Sequence, residues 1–468
     1  MRPSSLLALA ATLLPSIAVA QESPAPAAKR KPNIILIMAD DLGYGDLGSY
    51  GQDKIATPHL DRLASEGRRF TDFYSGSTVC APARCTLLTG KHTGHAFIRG
   101  NGEIKPLGQR PIPAEEVTLA EVMRSAGYRT GMVGKWGLGG PQTEGAPNAQ
   151  GFDEWYGYLC QRRAHRYYPE FLWRNAERVE IPANAEGARG AYAGDLFTAE
   201  ALEFVRRSAA EPFFLYLPYT TPHADLDVPD DSIAPYREGF EEKPHLKGGY
   251  RPQPVPHAAF AGMVSRLDRD VGALLSLLEE LGLQDDTLVL FTSDNGPHRE
   301  GGADPKFFNS SGGLRGIKRD LYEGGIRVPL IARWPGHVPA GTTSGHAAAF
   351  WDVLATCADL VGEETTAPHD GLSFANALLG REGQAQHEFL YWEFEPQGGK
   401  QAIRVGDWKG VRLGLRKNAD APLELYDLSR DPGETTNVAA QHPEVVEKML
   451  AYLASERVES EIWPLFGK

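Results

Sequence analysis

Two nearly unbroken apolar runs, residues 33–39 and 287–293, set the framework of the chain. Runs of that length without polar alternation predict strands buried on both faces of a sheet. Residues 211–219 have the same character and predict a third central strand, and 127–137 predict a shorter one that ends in a turn. Helical patterning lies between them. Pro58 opens a predicted helix to Ser65, with Gly67 just past its end. Thr118 and Glu121 are spaced as a capping box for a helix that stops at Gly127, and 258–281 predict a long amphipathic helix. A strand is expected from Val328 to Trp334 and a helix over 345–361. Beyond Gly380 the pattern changes to short β-like pieces at 388–394, 401–413 and 423–428, then a helix at about 443–456. The reading is an α/β unit over residues 32–380, followed by a small antiparallel sheet with one helix over 381–468.

The first residues follow a different pattern. Arg2, an apolar stretch over 6–19 and Ala18-Val19-Ala20 before Gln21 have the form of an export signal over residues 1–20. Pro15 breaks the stretch, which is too short for a membrane span. The Ala- and Pro-rich residues 21–31 read as a disordered lead-in. The chain is therefore expected to be exported, to a periplasmic or extracellular location, with no transmembrane segment.

Composition narrows the possible partners. The 468-residue chain carries a net charge of −13, which argues against nucleic acid as a partner, since that rewards a basic face. Its four cysteines, Cys80, Cys85, Cys160 and Cys357, fit no zinc spacing and are too few for a disulfide framework.

Chemistry gathers where the predicted strands end. The first run stops at Asp40-Asp41 and the run at 287–293 stops at Asp294-Asn295. Four oxygen ligands at the carboxyl ends of buried strands are the set expected for calcium or magnesium. His223 follows the third strand, where an imidazole can protonate a departing alkoxide. In Ser77 to Gly90, Cys80-x-Pro82-x-Arg84 opens an apolar run that Gly90 closes. Cys80 is thus expected at the entrance of a short helix, whose free N–H groups suit a nucleophile that attacks an anion.

The Cys80 segment resembles the sulfatase signature. Residues 127–137 resemble the second sulfatase signature, 314–329 the sulfatase lysine motif, and Gly406-Asp407-Trp408-Lys409 and 424–428 the sulfatase C-terminal subdomain. Together with the two metal motifs, this likeness covers about residues 32–460. It implies an alkaline-phosphatase-like fold with a large mixed, mostly parallel sheet sandwiched by helices. It implies that a formylglycine-generating enzyme oxidises Cys80 to Cα-formylglycine, whose hydrate attacks the sulfur of a sulfate ester. One Ca2+ would be bound by Asp40, Asp41, Asp294, Asn295 and the modified residue 80. Arg84 would orient the hydrate, Lys135 and Lys318 would bind the sulfate, and His223 would act as general acid. A covalent sulfo-enzyme would then release inorganic sulfate and regenerate the aldehyde. Glu323 and Arg327 would hold the lysine loop together.

One position departs from the pattern. Many sulfatases carry a histidine two residues after the lysine, where this chain has Gly137, and His165, His92 or His95 are the candidate replacements. The substrate is expected to be a sulfated carbohydrate or an aryl sulfate. Alternatives are a phosphonate or phosphodiester hydrolase using the same device, a glycan-binding relative with impaired catalysis, and a zinc phosphatase. A mobile loop over the site is expected at 296–313.

Overall fold

The computed structural model describes residues 31–467 except 107 and 366. The expected export signal, and the expected lead-in apart from Lys31, lie outside the described residues. Among the described residues no helix is long and apolar enough to cross a membrane.

A ten-stranded sheet organises the molecule. Its strands in chain order are β1 (Asn33–Asp40), β2 (Arg68–Phe70), β3 (Arg129–Lys135), β4 (Glu154–Tyr158), β5 (Phe171–Arg174), β6 (Glu177–Glu180), β7 (Phe213–Pro222), β8 (Thr287–Ser293), β9 (Leu330–Arg333) and β10 (Thr342–Ser344). Their spatial order is β10-β2-β9-β8-β1-β7-β3-β4-β5-β6. The centre is parallel, with β1 between β8 and β7, then β3 and β4. Antiparallel pairings flank it on both sides. The expected mixed, mostly parallel sheet is present.

Every residue of β1 is buried, which explains its unbroken apolar run. Alternate side chains serve two cores. Ile35, Ile37 and Ala39 join Leu215, Leu217, Val289 and Phe291 beneath helices α1 (Pro58–Ser65), α4 (Ala193–Ser208) and α5 (Pro256–Glu280). Ile34, Leu36 and Met38 join Phe214, Tyr216, Leu288 and Leu290 beneath α2 (Cys80–Thr89), α3 (Leu119–Ser125) and α6 (Asp352–Val361). Helices on both faces are what allow a parallel sheet to be dry on both sides. The capping box of α3 forms as expected, between Thr118 and Glu121.

Four antiparallel strands make a second sheet: β11 (Leu390–Phe394), β12 (Lys400–Val405), β13 (Trp408–Leu413) and β14 (Glu424–Asp427), with helix α7 (Pro443–Ser455) after them. The piece expected at 401–413 is a hairpin, because Gly406 takes φ +58° and turns the chain between β12 and β13. The helix expected at 345–361 begins only at Asp352, since Ala348–Ala349 pairs as a short strand with Phe73–Tyr74.

Loop 296–313 is packed. His298 and Phe308 are buried, Phe308 lies 5.2 Å from the Phe260 ring, and Ser310 accepts a hydrogen bond from Gly45 at 2.7 Å. Its aromatic residues anchor what the Gly-rich composition suggested would be loose.

Candidate active site

Strand register brings the acidic ends together. Ala39 is opposite Ser293 across β1 and β8, and Asp40 is opposite Pro222 across β1 and β7. Asp40-Asp41, Asp294-Asn295 and His223 therefore leave three adjacent strands at one edge. Asp41 adopts φ +66°, a left-handed turn that aspartate tolerates better than most residues. Its N–H donates to Asp294 Oδ1 at 3.0 Å, and Asn295 Nδ2 donates to Asp41 Oδ1 at 2.7 Å.

Helix α2 brings the thiol to this edge. Cys80 is its first residue, and Val79 before it is extended. Gly90 at φ +68° closes the helix, its N–H donating to the Thr86 carbonyl at 3.1 Å. Cys80 Sγ lies 3.5 Å from Asp40 Oδ1. One turn on, Arg84 reaches the same edge, 2.8 Å from Asp294 Oδ2 and 2.6 Å from the Lys135 carbonyl. Lys135, the last residue of β3, bonds through Nζ to Asp40 Oδ2. Lys318 Nζ lies 2.7 Å from Asp41 Oδ2 and 3.0 Å from His223 Nε2.

Three carboxylates thus interleave with three cations, none of the six more than 5% exposed. Burial would raise the Asp40 carboxyl, but Lys135, Arg84 and Lys318 together outweigh it and hold the group at about 2. Burial and the neighbouring Asp40 charge push Asp294 up to about 7. The same two causes push the Cys80 thiol up to about 12, so this cysteine is not a thiolate nucleophile in its unmodified form. Burial, then the ammonium of Lys318, holds the His223 imidazole well below its ordinary value. His223 is therefore neutral, with Nδ1 bonded to the Ala224 carbonyl and Nε2 facing Lys318.

The oxygen donors at this edge, from Asp40, Asp41, Asp294 and Asn295, are of the type a hard divalent cation takes. Ligand atoms of Asp40, Asp41, Cys80 and His223 all lie within 4.8 Å of one another. Asn295 uses its Nδ2 on Asp41 and Gly296, while its buried Oδ1 has no hydrogen-bond partner among the described residues. A buried carbonyl oxygen left over beside three carboxylates is the ligand type calcium takes.

The other sequence-predicted residues divide. His165 stacks on His223 with ring centroids 4.3 Å apart, and burial, then Lys135 and Lys318, pushes it down to about 3. His92 and His95 stack on each other and bind Asp370. At Gly137 the sequence reading missed the neighbour. A Cβ there would lie 1.9 Å from Gln161 Nε2, and the backbone has φ +96°. The Gln161 side chain thus fills the space beside Gly137, and its buried amide has no hydrogen-bond partner among the described residues. No local pattern in the sequence links 137 to 161. Glu323 and Arg327 do meet, at 3.3 Å, and Glu323 also binds Lys409 of β13 at 2.7 Å.

The family profile described as Sulfatase matches residues 32–363, and one described as N-sulphoglucosamine sulphohydrolase, C-terminal, matches 316–459. The chain is 34% identical to Arylsulfatase A of Homo sapiens, over 95% of this chain and 89% of that protein. It is 31% identical to the N-acetylgalactosamine-6-O-sulfatase of Bacteroides thetaiotaomicron, over 91% and 93%. Among solved structures it resembles Ps i-CgsB in complex with k-i-k-neocarrahexaose, with a TM-score of 0.78 and 28% identity over 93% of this chain and 95% of that one. On that extent of likeness the chain belongs to the sulfatase family of the alkaline phosphatase superfamily, the sulfuric ester hydrolases.

Proposed function

We propose that this sulfatase hydrolyses sulfate esters of a carbohydrate through residue 80 in its Cα-formylglycine form, with one Ca2+ at the strand ends. The observation that carries the reading is Cys80 at the start of α2, 3.5 Å from Asp40, among three carboxylates and three cations. Asp40, Asp41, Asp294 and Asn295 would hold calcium together with residue 80. The aldehyde would supply a hydrated oxygen nucleophile that a buried, protonated thiol does not, and calcium would offset negative charge on the ester.

Lys135 and Lys318 would bind the sulfate oxygens, and their fixed positions in a dry cluster favour charge that develops there. Arg84, anchored on Asp294 and the Lys135 carbonyl, would orient residue 80. His223 would protonate the leaving alcohol from Nε2. Burial is the main cause that keeps this imidazole neutral and the lysine charges add to it; an ester's negative charge counters the lysines' part and so favours the protonated form. His165 is the proposed substitute for the family histidine, because Gln161 beside Gly137 has an amide that takes up no proton. Carbohydrate is favoured over a small aryl sulfate by the names of two relatives, an N-acetylgalactosamine-6-O-sulfatase and a carrahexaose complex. The reading includes export to the periplasm or exterior and a formylglycine-generating enzyme as maturation partner.

The test is the Cys80→Ala protein beside wild type co-produced with its maturation enzyme. Expected are loss of sulfate release, an unchanged circular dichroism spectrum and retained calcium binding by calorimetry. Wild-type turnover by that variant would refute the assigned nucleophile.

A further inference from the structure

A cavity of about 1070 Å³ opens beside the catalytic cluster. His165 lines it and carries it to His223, on which it stacks at 4.3 Å, while Tyr158 lines it from β4, directly opposite Lys135 of β3. Its size is at the upper end of small-molecule sites and much exceeds what one sulfate group fills. Its charge is the reverse of the chain's. Six cations line it, Lys105, Arg162, Arg163, Arg166, Arg189 and Arg251, against three carboxylates, on a protein of net charge −13.

The cations are not equally satisfied. Arg162 pairs with Glu103 at 3.6 Å, and Arg189 and Arg251 share Asp227. Arg163 has its guanidinium 4.8 Å from the centre of the Phe171 ring and no carboxylate partner among the described residues. Arg166, next to His165, has neither an ion pair nor a side-chain hydrogen bond among the described residues. Both guanidinium groups are exposed in one concave wall, where Asp225 is the carboxylate that feels Arg166, so an anionic ligand can pair with them without displacing a salt bridge. Arginine's planar fork matches sulfate and carboxylate oxygens two at a time.

We infer that this cavity is a second anion subsite, and that the substrate is an oligosaccharide with a further fixed anionic group, a sulfate ester or a carboxylate, besides the sulfate that is cleaved. Arg163 and Arg166, both in the wall, take the second anion. The inference rests on the sulfatase reading and narrows its substrate.

The test compares kcat/KM of the matured enzyme for 4-nitrophenyl sulfate, a monosulfated disaccharide, its disulfated counterpart and a monosulfated disaccharide containing a uronate. The expected result is a preference of about tenfold or more for a doubly anionic disaccharide over the singly charged one, the size of one charge-assisted contact. Preference for the disulfated sugar alone assigns a sulfate, and for the uronate alone a carboxylate. The preference should shrink in Arg166→Gln and in Arg163→Gln, and with added salt. In parallel, calorimetry with the Cys80→Ala protein should show the intact disulfated disaccharide binding about tenfold more weakly once Arg166→Gln is added. Hydrolysis of 4-nitrophenyl sulfate with equal kcat/KM for all disaccharides would overturn the inference and leave the sulfatase reading standing. Release of sulfate from none of the four would overturn that reading and the inference with it.

Discussion

Gly137 shows how one residue constrains its neighbours. Its φ of +96° strains any side chain placed there, and the buried Gln161 amide against it would have to move aside. Restoring a histidine by Gly137→His alone should therefore destabilise the protein by about 2 kcal/mol or more, through backbone strain and overpacking together. Adding Gln161→Gly should recover the overpacking part, and thermal unfolding of the single and double variants measures both. The chain's departure from the family at 137 was legible in the sequence, because a motif position is local. Its cause was not, since 161 meets 137 only across the fold. Asn295 is a second case at this scale. Its leftover Oδ1 predicts that calcium raises the unfolding temperature, by mass action on the native state, and that Asn295→Ala removes most of the shift. A calcium titration followed by differential scanning calorimetry checks it; an equal shift in both proteins would exclude this ligand.

At the scale of elements, the segment that carries Lys318 is held by the second sheet. Lys409 of β13, fully buried, lies 2.7 Å from Glu323 and 3.6 Å from Glu434, and Tyr74 and Arg327 complete the shell around Glu323. Lys409→Met would take from two buried carboxyl groups the cation they share, leaving Arg327 to Glu323 alone, and should cost about 3 kcal/mol. The double variant with Glu323→Gln should recover part of that, as read by urea unfolding. The network also sets a pH dependence. Burial would raise Glu323, yet Lys409, Arg327 and Arg404 pull it down to about 2 from an ordinary 4.5. Its contribution to stability is thus complete above pH 4.5 and is lost as pH falls toward 2. Burial pushes Glu434 the other way, to about 7, against the pull of Lys409, so its contribution holds below 4.5 and is lost as pH rises toward 7. Glu434→Gln should flatten the neutral side of the stability profile and leave the acid side steep. The sequence showed Glu323 and Arg327 as a pair because they lie close together near a turn, but it gave no sign of Lys409, 86 positions along the chain.

For the whole molecule, the central strands were legible because burial on both faces requires uninterrupted apolar runs. β1 and β8 could be read to within a residue, with the acids that end them. The edges were harder. Strands such as Arg68–Phe70 and Glu177–Glu180 are short and polar, and only their neighbours hold them in the sheet. Loop 296–313, expected as mobile, is packed for a related reason: Phe307 and Phe308 find their partners in distant segments. The cationic cavity draws its lining from stretches between 103 and 251, whose charges come together only in the fold.

The near-complete enclosure of Cys80, 3% exposed in the finished fold, bears on the order in which the protein is made. Asp294 and Lys318, which help seal the thiol, are synthesised more than two hundred residues after it. On the proposed reading, an oxidising enzyme has its opportunity while that later half is still missing. Protein already folded with its thiol intact should stay unconverted on incubation with that enzyme, whereas an unfolded peptide spanning residues 75–90 should be converted, as peptide mass would report. Conversion of the folded protein at the peptide's rate would mean that the lid over residue 80 opens readily.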